Sequence, residues 1–135
     1  MVVDDDSTIR DVVSLMLKCE GYEVLVADGP RQALEIVKNR ATVHLLISDI
    51  EMPEMKGTQL VRETARLSPQ TAAVLMTGVV NPTGVPNDVL VLKKPFSQRE
   101  LISAVKAIVH QAGSPPSQSR PSFLGCTKAG LSYFF

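Results

Sequence analysis

The chain has 135 residues, of which 44% are hydrophobic, and its formal net charge is zero. A chain of this length can bury one core by itself, and a neutral balance gives no general attraction to nucleic acid or to an anionic membrane. The sequence shows neither an apolar run near the ~20 residues that span a bilayer nor a basic stretch leading into an apolar one at the N-terminus. We therefore expect a cytoplasmic protein without nucleic-acid or membrane partners.

Short apolar runs alternate with amphipathic segments as far as residue 112. Apolar residues three and four positions apart predict helices, and continuous apolar runs between turn residues predict buried strands. The predicted strands cover residues 2–3, 22–27, 43–48, 72–76 and 89–92. The predicted helices begin with Ser7 as the cap, after Gly29, at Gly57 (ending at Leu67) and after Ser97. This alternation indicates an α/β protein with a parallel sheet.

Two regions depart from the alternation. Between Gly78 and Asp88 lie two prolines and a glycine where a crossover helix is expected, so at most one short helical turn fits there. Residues 113–135 begin with Pro/Ser-rich linker composition and end in an apolar stretch. We predict one domain over residues 1–112 and a disordered tail over residues 113–135, with docking of the apolar end as the other outcome.

Residues suited to phosphoryl chemistry follow four of the predicted strands. Three aspartates at 4–6 follow the first strand, and Asp49, Thr77 and Lys94 come at the ends of later ones. Because ligand sites form outside the carboxyl ends of strands in open α/β sheets, these side chains should meet at one edge. Carboxylates bind hard divalent cations, while a hydroxyl and an ammonium group can hold phosphoryl oxygens.

Five motifs stand in order along the chain. They are Val-Val-Asp-Asp at 2–5, Ser-Asp-Ile-Glu-Met-Pro at 48–53, Gly57, Met-Thr-Gly at 76–78 and Lys-Lys-Pro-Phe at 93–96. Together they closely resemble the receiver domain of two-component response regulators. The resemblance implies a flavodoxin-like fold, a doubly wound five-stranded parallel sheet in the order 2-1-3-4-5. In this chain the fourth helix would be shortened or missing.

The resemblance also implies an acceptor and a metal site. Asp49 would be the phosphoacceptor, attacking a phospho-histidine on a partner to give an acyl phosphate. Asp5, Asp49 and the main-chain carbonyl of Glu51 would bind Mg²⁺ directly, and Asp4 would act through water. Clustered carboxylates agree with this implication, because they stay ionised at low cost only when a cation neutralises them.

Two further residues would complete the phosphoryl site. The resemblance implies that Lys94 is the positive partner of a phosphoryl oxygen and that the Lys94–Pro95 bond is cis. Thr77 would be the hydroxyl that moves to hydrogen-bond the phosphoryl group. The partner would be a histidine kinase or a phosphotransfer protein, and the chain would signal by conformational change rather than act as a turnover enzyme. The sequence identifies neither the cognate kinase nor the downstream target.

Two departures from the family pattern bear on signalling. Receivers often carry Tyr or Phe three residues before the conserved lysine, and here that residue is Val91. The crossover over residues 78–88 is about one helix shorter than usual. A short fourth helix resembles receivers attached to hybrid sensor kinases.

Two alternatives remain at this point. Asp4-x-Asp6-x-Thr8 satisfies the signature of haloacid-dehalogenase-type phosphatases, in which the first aspartate is phosphorylated and the second is the acid/base. That interpretation needs a later acidic pair for Mg²⁺, which the sequence does not show, and it leaves residues 49–53 unexplained. The other alternative is a degenerate receiver that only docks partners, but the full set of site residues argues against it.

Overall fold

The computed structural model describes residues 1–39 and 42–111, so the predicted tail lies outside the described residues. The elements are β1 (Val2–Val3), α1 (Ser7–Cys19), β2 (Val26–Ala27), α2 (Pro30–Asn39), β3 (Leu45–Asp49), α3 (Gly57–Leu67), β4 (Ala72–Thr77), β5 (Leu90–Lys93) and α4 (Gln98–Gln111). The strands form one sheet in the order β2-β1-β3-β4-β5, and every pair is parallel. None of the helices in this part of the chain has the length and apolar character needed to cross a bilayer. The predicted topology is confirmed.

Helices cover both faces of the sheet, and this accounts for the continuous apolar strands. Successive residues of β4 point to opposite faces, so Val74 and Met76 pack with α1 and α4. Ala73 and Leu75 pack on the other face, with α2 and α3. Because both faces are buried, each strand position favours an apolar side chain. The two-sided core holds the strand ends in fixed positions at one edge.

The limits of β3, β4 and β5 were predicted to within one or two residues, and two other predicted boundaries were wrong. The cap of α1 is Asp6 rather than Ser7, since the Asp6 side chain accepts a 2.9 Å hydrogen bond from the Thr8 N–H. The second strand, predicted over residues 22–27, is β2 and contains only Val26–Ala27. Among the described residues its neighbour in the sheet is β1 alone, which offers two residues for pairing, so the ladder along this edge is short.

The segment between β4 and β5 contains turns and bends but no helix, which confirms the expected loss of the fourth helix. Asn81 and Gly84 have positive φ angles of 55° and 76°, a conformation that helices do not use. Val85 and Val89 pack against the core face that α2 and α3 cover. A short irregular crossover segment therefore takes the place of a helix, and the helix that follows β5 is α4.

Candidate functional site

Three carboxylates converge at the edge of the sheet where β1 and β3 end. Asp4 and Asp5 follow β1 directly, and Asp49 is the last residue of β3. Each offers an oxygen atom, and these three atoms lie within 4.8 Å of one another. Asp4 and Asp49 are buried, whereas Asp5 is exposed. The convergence follows from the pairing of β1 with β3, which sets Val3 beside Ser48.

Lys94 is the cation of this cluster. Its Nζ lies 3.4 Å from Asp49 Oδ1 and 3.7 Å from Asp4 Oδ2, and its side chain is only 15% exposed. The Lys94 main-chain N–H donates a 2.7 Å hydrogen bond to the Thr77 carbonyl, which fixes Lys94 just beyond β5. The Lys94–Pro95 bond is cis, as the sequence comparison with receivers implied. The structure therefore brings Asp4, Asp5, Asp49 and Lys94 together.

Burial dominates the electrostatics of the two inner acids. It raises the pKa of Asp4 to about 6, and the nearby Asp49 charge adds to this rise. The Asp6 main-chain N–H and the Lys94 charge act in the opposite direction. Burial also raises the pKa of Asp49, and Lys94 opposes that shift most. One ammonium group is therefore not enough to offset the desolvation of both carboxylates.

The donor set fits a hard divalent cation. Asp4 Oδ2 is buried and accepts no hydrogen bond from the described residues, so its contact with Lys94 is an ion pair at 3.7 Å. A buried carboxylate oxygen without a hydrogen bond is costly. Ca²⁺ and Mg²⁺ bind carboxylate oxygens of this kind. The acids at this edge therefore have the chemistry that Mg²⁺ requires.

Glu51 lies beside this group without joining it through its carboxylate. Its side chain is exposed, and it is not one of the three clustered acids in the described part of the chain. Its main-chain N–H donates to the Asp49 carboxylate, which lowers the Asp49 pKa. The contact that the structure shows for Glu51 is therefore made by its backbone.

Thr77 ends β4 next to the cluster. Its side chain is buried, with 1% of the residue exposed. The β3–β4 register pairs Asp49 with Met76, so Thr77 lies one residue beyond the position that faces Asp49. Its Oγ1 accepts a 3.0 Å hydrogen bond from the Val79 N–H. The hydroxyl is therefore tied to the start of the crossover segment.

Two contacts that support the site were not predictable from sequence spacing. Arg10, on α1, donates from Nη1 to the Asp4 carbonyl at 2.8 Å. Ser48 Oγ donates to the Asp49 carbonyl at 2.9 Å. Gly57, recognised only as a motif residue, begins α3 against the same carbonyl, where a Cβ atom would overlap it. Arg10 therefore fixes the backbone of Asp4, and Ser48 and Gly57 fix the backbone of Asp49.

Asp6, the acid/base residue of the phosphatase interpretation, has a structural role as the cap of α1. It is exposed, and its carboxylate caps α1. Its N–H donates to Asp4 Oδ1 at 2.9 Å. Among the described residues, the acids that gather with Asp4 are Asp5 and Asp49 rather than Asp6.

Comparison with known proteins supports one family. The model of the response regulator receiver domain matches residues 1–106. The chain is 31% identical over 114 residues to the response regulator receiver protein CpdR of Brucella abortus, covering 81% of this chain and 94% of that protein. It is 30% identical to the CpxR homolog of Haemophilus influenzae, with 85% of this chain and 52% of that protein covered. The chain thus spans about half the length of some curated relatives.

Solved structures agree with this assignment. A receiver domain protein from Methanospirillum hungatei superposes with a TM-score of 0.74 and 28% identity, over 83% of this chain and 93% of that one. The receiver domain of the hybrid histidine kinase CckA gives 0.69 and 32%, over 80% and 95%. The response regulator TrrA of Thermotoga maritima, solved with Mg²⁺ and BeF, gives 0.70 and 28%, over 79% and 95%. The chain therefore belongs to the response regulator receiver domain family.

Proposed function

We propose that this chain accepts a phosphoryl group on Asp49 from a histidine kinase or a phosphotransfer protein, in a Mg²⁺-dependent reaction. The observation that carries the proposal is the convergence of three acids and one lysine at the sheet edge, with Lys94 Nζ 3.4 Å from Asp49 Oδ1. Family membership makes a phosphatase of the haloacid-dehalogenase type unnecessary to explain Asp4 and Asp6. We expect single phosphorylation and loss of the phosphoryl group, not turnover of a substrate.

The phosphoryl transfer needs no reactant besides Asp49 and the phosphorylated histidine of the donor. An Asp49 carboxylate oxygen attacks the phosphorus of the donor, an O–P bond forms, and the P–N bond to the donor histidine breaks. The imidazole leaves with the electron pair of that bond. Since little covalent chemistry falls to the protein in phosphoryl transfer, its task is positioning and charge stabilisation. Ser48 and Gly57 contribute by fixing the Asp49 backbone.

The direct metal ligands in this proposal are Asp5, Asp49 and the main-chain carbonyl of Glu51, and Asp4 acts through water. When bound, Mg²⁺ would neutralise the acids and offset charge on the phosphoryl oxygens. A buried Asp4 oxygen without a hydrogen bond supports the metal site. The solved structure of TrrA with Mg²⁺ and BeF, a similar protein, also supports it.

Lys94 and Thr77 would hold the transferred group. Lys94 is nearly buried and is placed to donate to a phosphoryl oxygen on Asp49. Thr77 would donate its hydroxyl hydrogen to a phosphoryl oxygen, and the movement of Oγ1 toward that oxygen would break the hydrogen bond that Oγ1 accepts from the Val79 N–H. This movement would change the start of the crossover segment, and we infer that the signal leaves the site through it. The similarity to the CckA receiver supports a place in a hybrid kinase. We expect the phosphoryl transfer to take place in the cytoplasm.

The test is intact-mass analysis after treatment with acetyl phosphate and Mg²⁺. Wild type should gain one phosphoryl group, and Asp49→Asn should gain none. Asp6→Asn is the matched control, because Asp6 is an acid of the same sequence run that lies outside the cluster; it should be modified like wild type. A persisting adduct in Asp49→Asn would move the acceptor elsewhere, with Asp4, the acceptor of the phosphatase alternative, as the first position to examine, and loss of the adduct in Asp6→Asn would contradict the choice of Asp49 with its clustered acids as the whole site.

A further inference from the structure

Arg10, on α1, contacts the acidic turn at the end of β1 through its guanidinium group. The side chain reaches back across six residues, and its Nη1 donates a 2.8 Å hydrogen bond to the Asp4 main-chain carbonyl. The residue is half-buried. None of the ion pairs among the described residues involves Arg10, although Asp4, Asp5 and Asp6 directly precede α1. A guanidinium group that binds a peptide carbonyl and no carboxylate indicates a role in holding the backbone.

The peptide group that Arg10 holds is the one that joins Asp4 to Asp5. Because a peptide group is planar, a hydrogen bond to the Asp4 carbonyl also sets the direction of the Asp5 N–H and the course of the chain into Asp5. Asp4 and Asp49 are buried, so packing holds their side chains, whereas Asp5 is exposed. The place of Asp5 among the three acids therefore depends on its backbone more than the places of the other two do.

Other groups hold the rest of this turn. The Asp6 N–H donates to Asp4 Oδ1 at 2.9 Å, and the Asp6 carboxylate accepts from the Thr8 N–H at 2.9 Å. The Arg10 main-chain N–H donates to the Asp6 carbonyl at 3.0 Å. These three bonds fix Asp6 and the Asp4 side chain, but they do not hold the Asp4 carbonyl. Loss of the Arg10 side chain would therefore release one peptide group while the cap of α1 stays in place.

We propose that Arg10 is a positioning residue for the metal site, and that its hydrogen bond to the Asp4 carbonyl keeps the Asp5 carboxylate grouped with those of Asp4 and Asp49. The proposal rests on the proposed function, since it concerns the same Mg²⁺ site. A hydrogen bond from a charged donor is stronger than one between neutral groups. Groups that orient a metal ligand without touching the metal typically change its affinity by about 10- to 100-fold when they are removed.

The charge of Arg10 and its hydrogen bond act on Mg²⁺ binding in opposite directions. A guanidinium group beside three acids repels a cation, so loss of the charge alone would tighten Mg²⁺ binding. Loss of the hydrogen bond would weaken it, because the Asp5 carboxylate would spend less time in the cluster. Solvent screens the charge of a half-buried side chain, so we expect the hydrogen bond to dominate. The direction of the change in affinity therefore separates a positioning role from a purely electrostatic one.

The test is a Mg²⁺ titration of wild type and variants, followed by the NMR signal of the Asp5 amide. Arg10→Met should raise the Kd for Mg²⁺ by about tenfold. Arg10→Lys should stay within about twofold of wild type, because Nη1 alone makes the contact and an ammonium group can also donate one hydrogen bond. Arg99→Met is the matched control, since it removes the same charge from an exposed position in the first turn of α4, and it should leave the Kd unchanged. A Kd in Arg10→Met equal to or below that of wild type would overturn the proposal.

A measurement without metal separates this proposal from the proposed function. In EDTA, Arg10→Met should shift the carbonyl carbon signal of Asp4, and Arg10→Lys should keep that signal near its wild-type position. Urea denaturation in EDTA shows whether each variant is folded. Affinity that does not follow the Asp4 carbonyl shift across the folded variants would contradict the positioning role and leave the proposed function intact. Absence of Mg²⁺ binding in wild type would overturn both.

Discussion

The Lys94 ammonium group lies 3.4 Å from the Asp49 carboxylate, and this pair sits almost out of solvent at the end of the sheet. The same ammonium group is 3.7 Å from Asp4. Lys94 therefore shares its single positive charge between two acids, and the pKa of each acid stays raised. This arrangement leaves the site short of positive charge, which is the condition under which a divalent cation and a phosphoryl group can be accommodated together.

Replacing Lys94 should shift the titration of Asp49. In Lys94→Met without divalent ions, we expect the pKa of Asp49 to rise further, since the charge that opposes the effect of burial is removed. Carboxyl carbon NMR titration measures this. Lys93→Met is the matched control, because Lys93 is the exposed neighbour. Identical Asp49 titrations in the two variants would contradict the assigned pairing.

The burial of Asp4 predicts a dependence of stability on pH. Because the folded state raises the pKa of Asp4 from 3.8 to about 6, the native state holds this proton more tightly than the unfolded state does. Stability from this group is therefore full at low pH and falls as pH rises from about 4 to about 6. Urea denaturation in EDTA should show that Asp4→Asn is more stable than wild type at pH 7 by about 1–3 kcal/mol.

Two comparisons control the Asp4 experiment. Asp11→Asn removes an exposed carboxylate from α1 and should leave the pH dependence unchanged. Mg²⁺ at pH 7 should stabilise wild type more than Asp4→Asn, since it would compensate the buried charge. If wild type and Asp4→Asn have the same free energy of unfolding at pH 7 in EDTA, the buried charge does not carry the cost inferred here.

Gly57 should be intolerant of any side chain. A Cβ atom there would overlap the Asp49 carbonyl, so Gly57→Ala should destabilise the fold by about 1–3 kcal/mol and slow phosphorylation of Asp49. Gly29→Ala is the control, because a Cβ atom at Gly29 meets no atom within 4 Å. Urea unfolding and intact-mass kinetics provide the two measurements. Equal stability of the two variants would show that the α3 start can move away from Asp49.

The clustering of the acids could be predicted from the sequence more accurately than the limits of the edge strand. Helix α3 was predicted with its observed limits, Gly57 to Leu67, because its apolar positions recur at helical spacing and Ser68-Pro69 follows. The strand-end acids were predictable because β1 and β3 are neighbours in a parallel sheet. The edge strand β2 was predicted too long, since Tyr22 and Val24 pack on the core outside the two residues, Val26 and Ala27, that pair with β1. Contacts such as that of Arg10 with the Asp4 carbonyl depend on side-chain placement, which sequence spacing does not encode.

Glu51 should have a smaller effect on the metal than the clustered acids. Its exposed carboxylate lies outside the three-acid group, so its field at the site is screened. We expect Glu51→Gln to weaken Mg²⁺ binding by a factor of about two and to change the lifetime of phospho-Asp49. Glu23→Gln, an exposed acid between α1 and β2 at the other end of the sheet, is the control. Unchanged affinity and lifetime in Glu51→Gln would exclude a role for its charge.

The last prediction concerns how phosphorylation changes the surface. Val91 replaces the usual aromatic residue of the family, so a large rotation of a ring is not available. Instead, Thr77 Oγ1 holds the Val79 N–H at 3.0 Å. When Thr77 turns to a phosphoryl group on Asp49, that N–H loses its acceptor and the crossover segment must adjust. Ordering of a segment is one way in which a local charge creates a new surface.

Amide hydrogen exchange with and without a beryllofluoride phosphoryl mimic tests this mechanism. Val79 should exchange faster, while protection should rise across residues 80–88 and at the start of α4 after Ser97. Thr77→Val should abolish both changes, and Thr77→Ser, which keeps a hydroxyl, should retain them. Protection that changes only on another face of the domain, with residues 79–88 unaffected, would place the output elsewhere. The same result in Thr77→Val as in wild type would remove Thr77 from the signalling step, because the hydroxyl is the group that links the phosphoryl site to this segment.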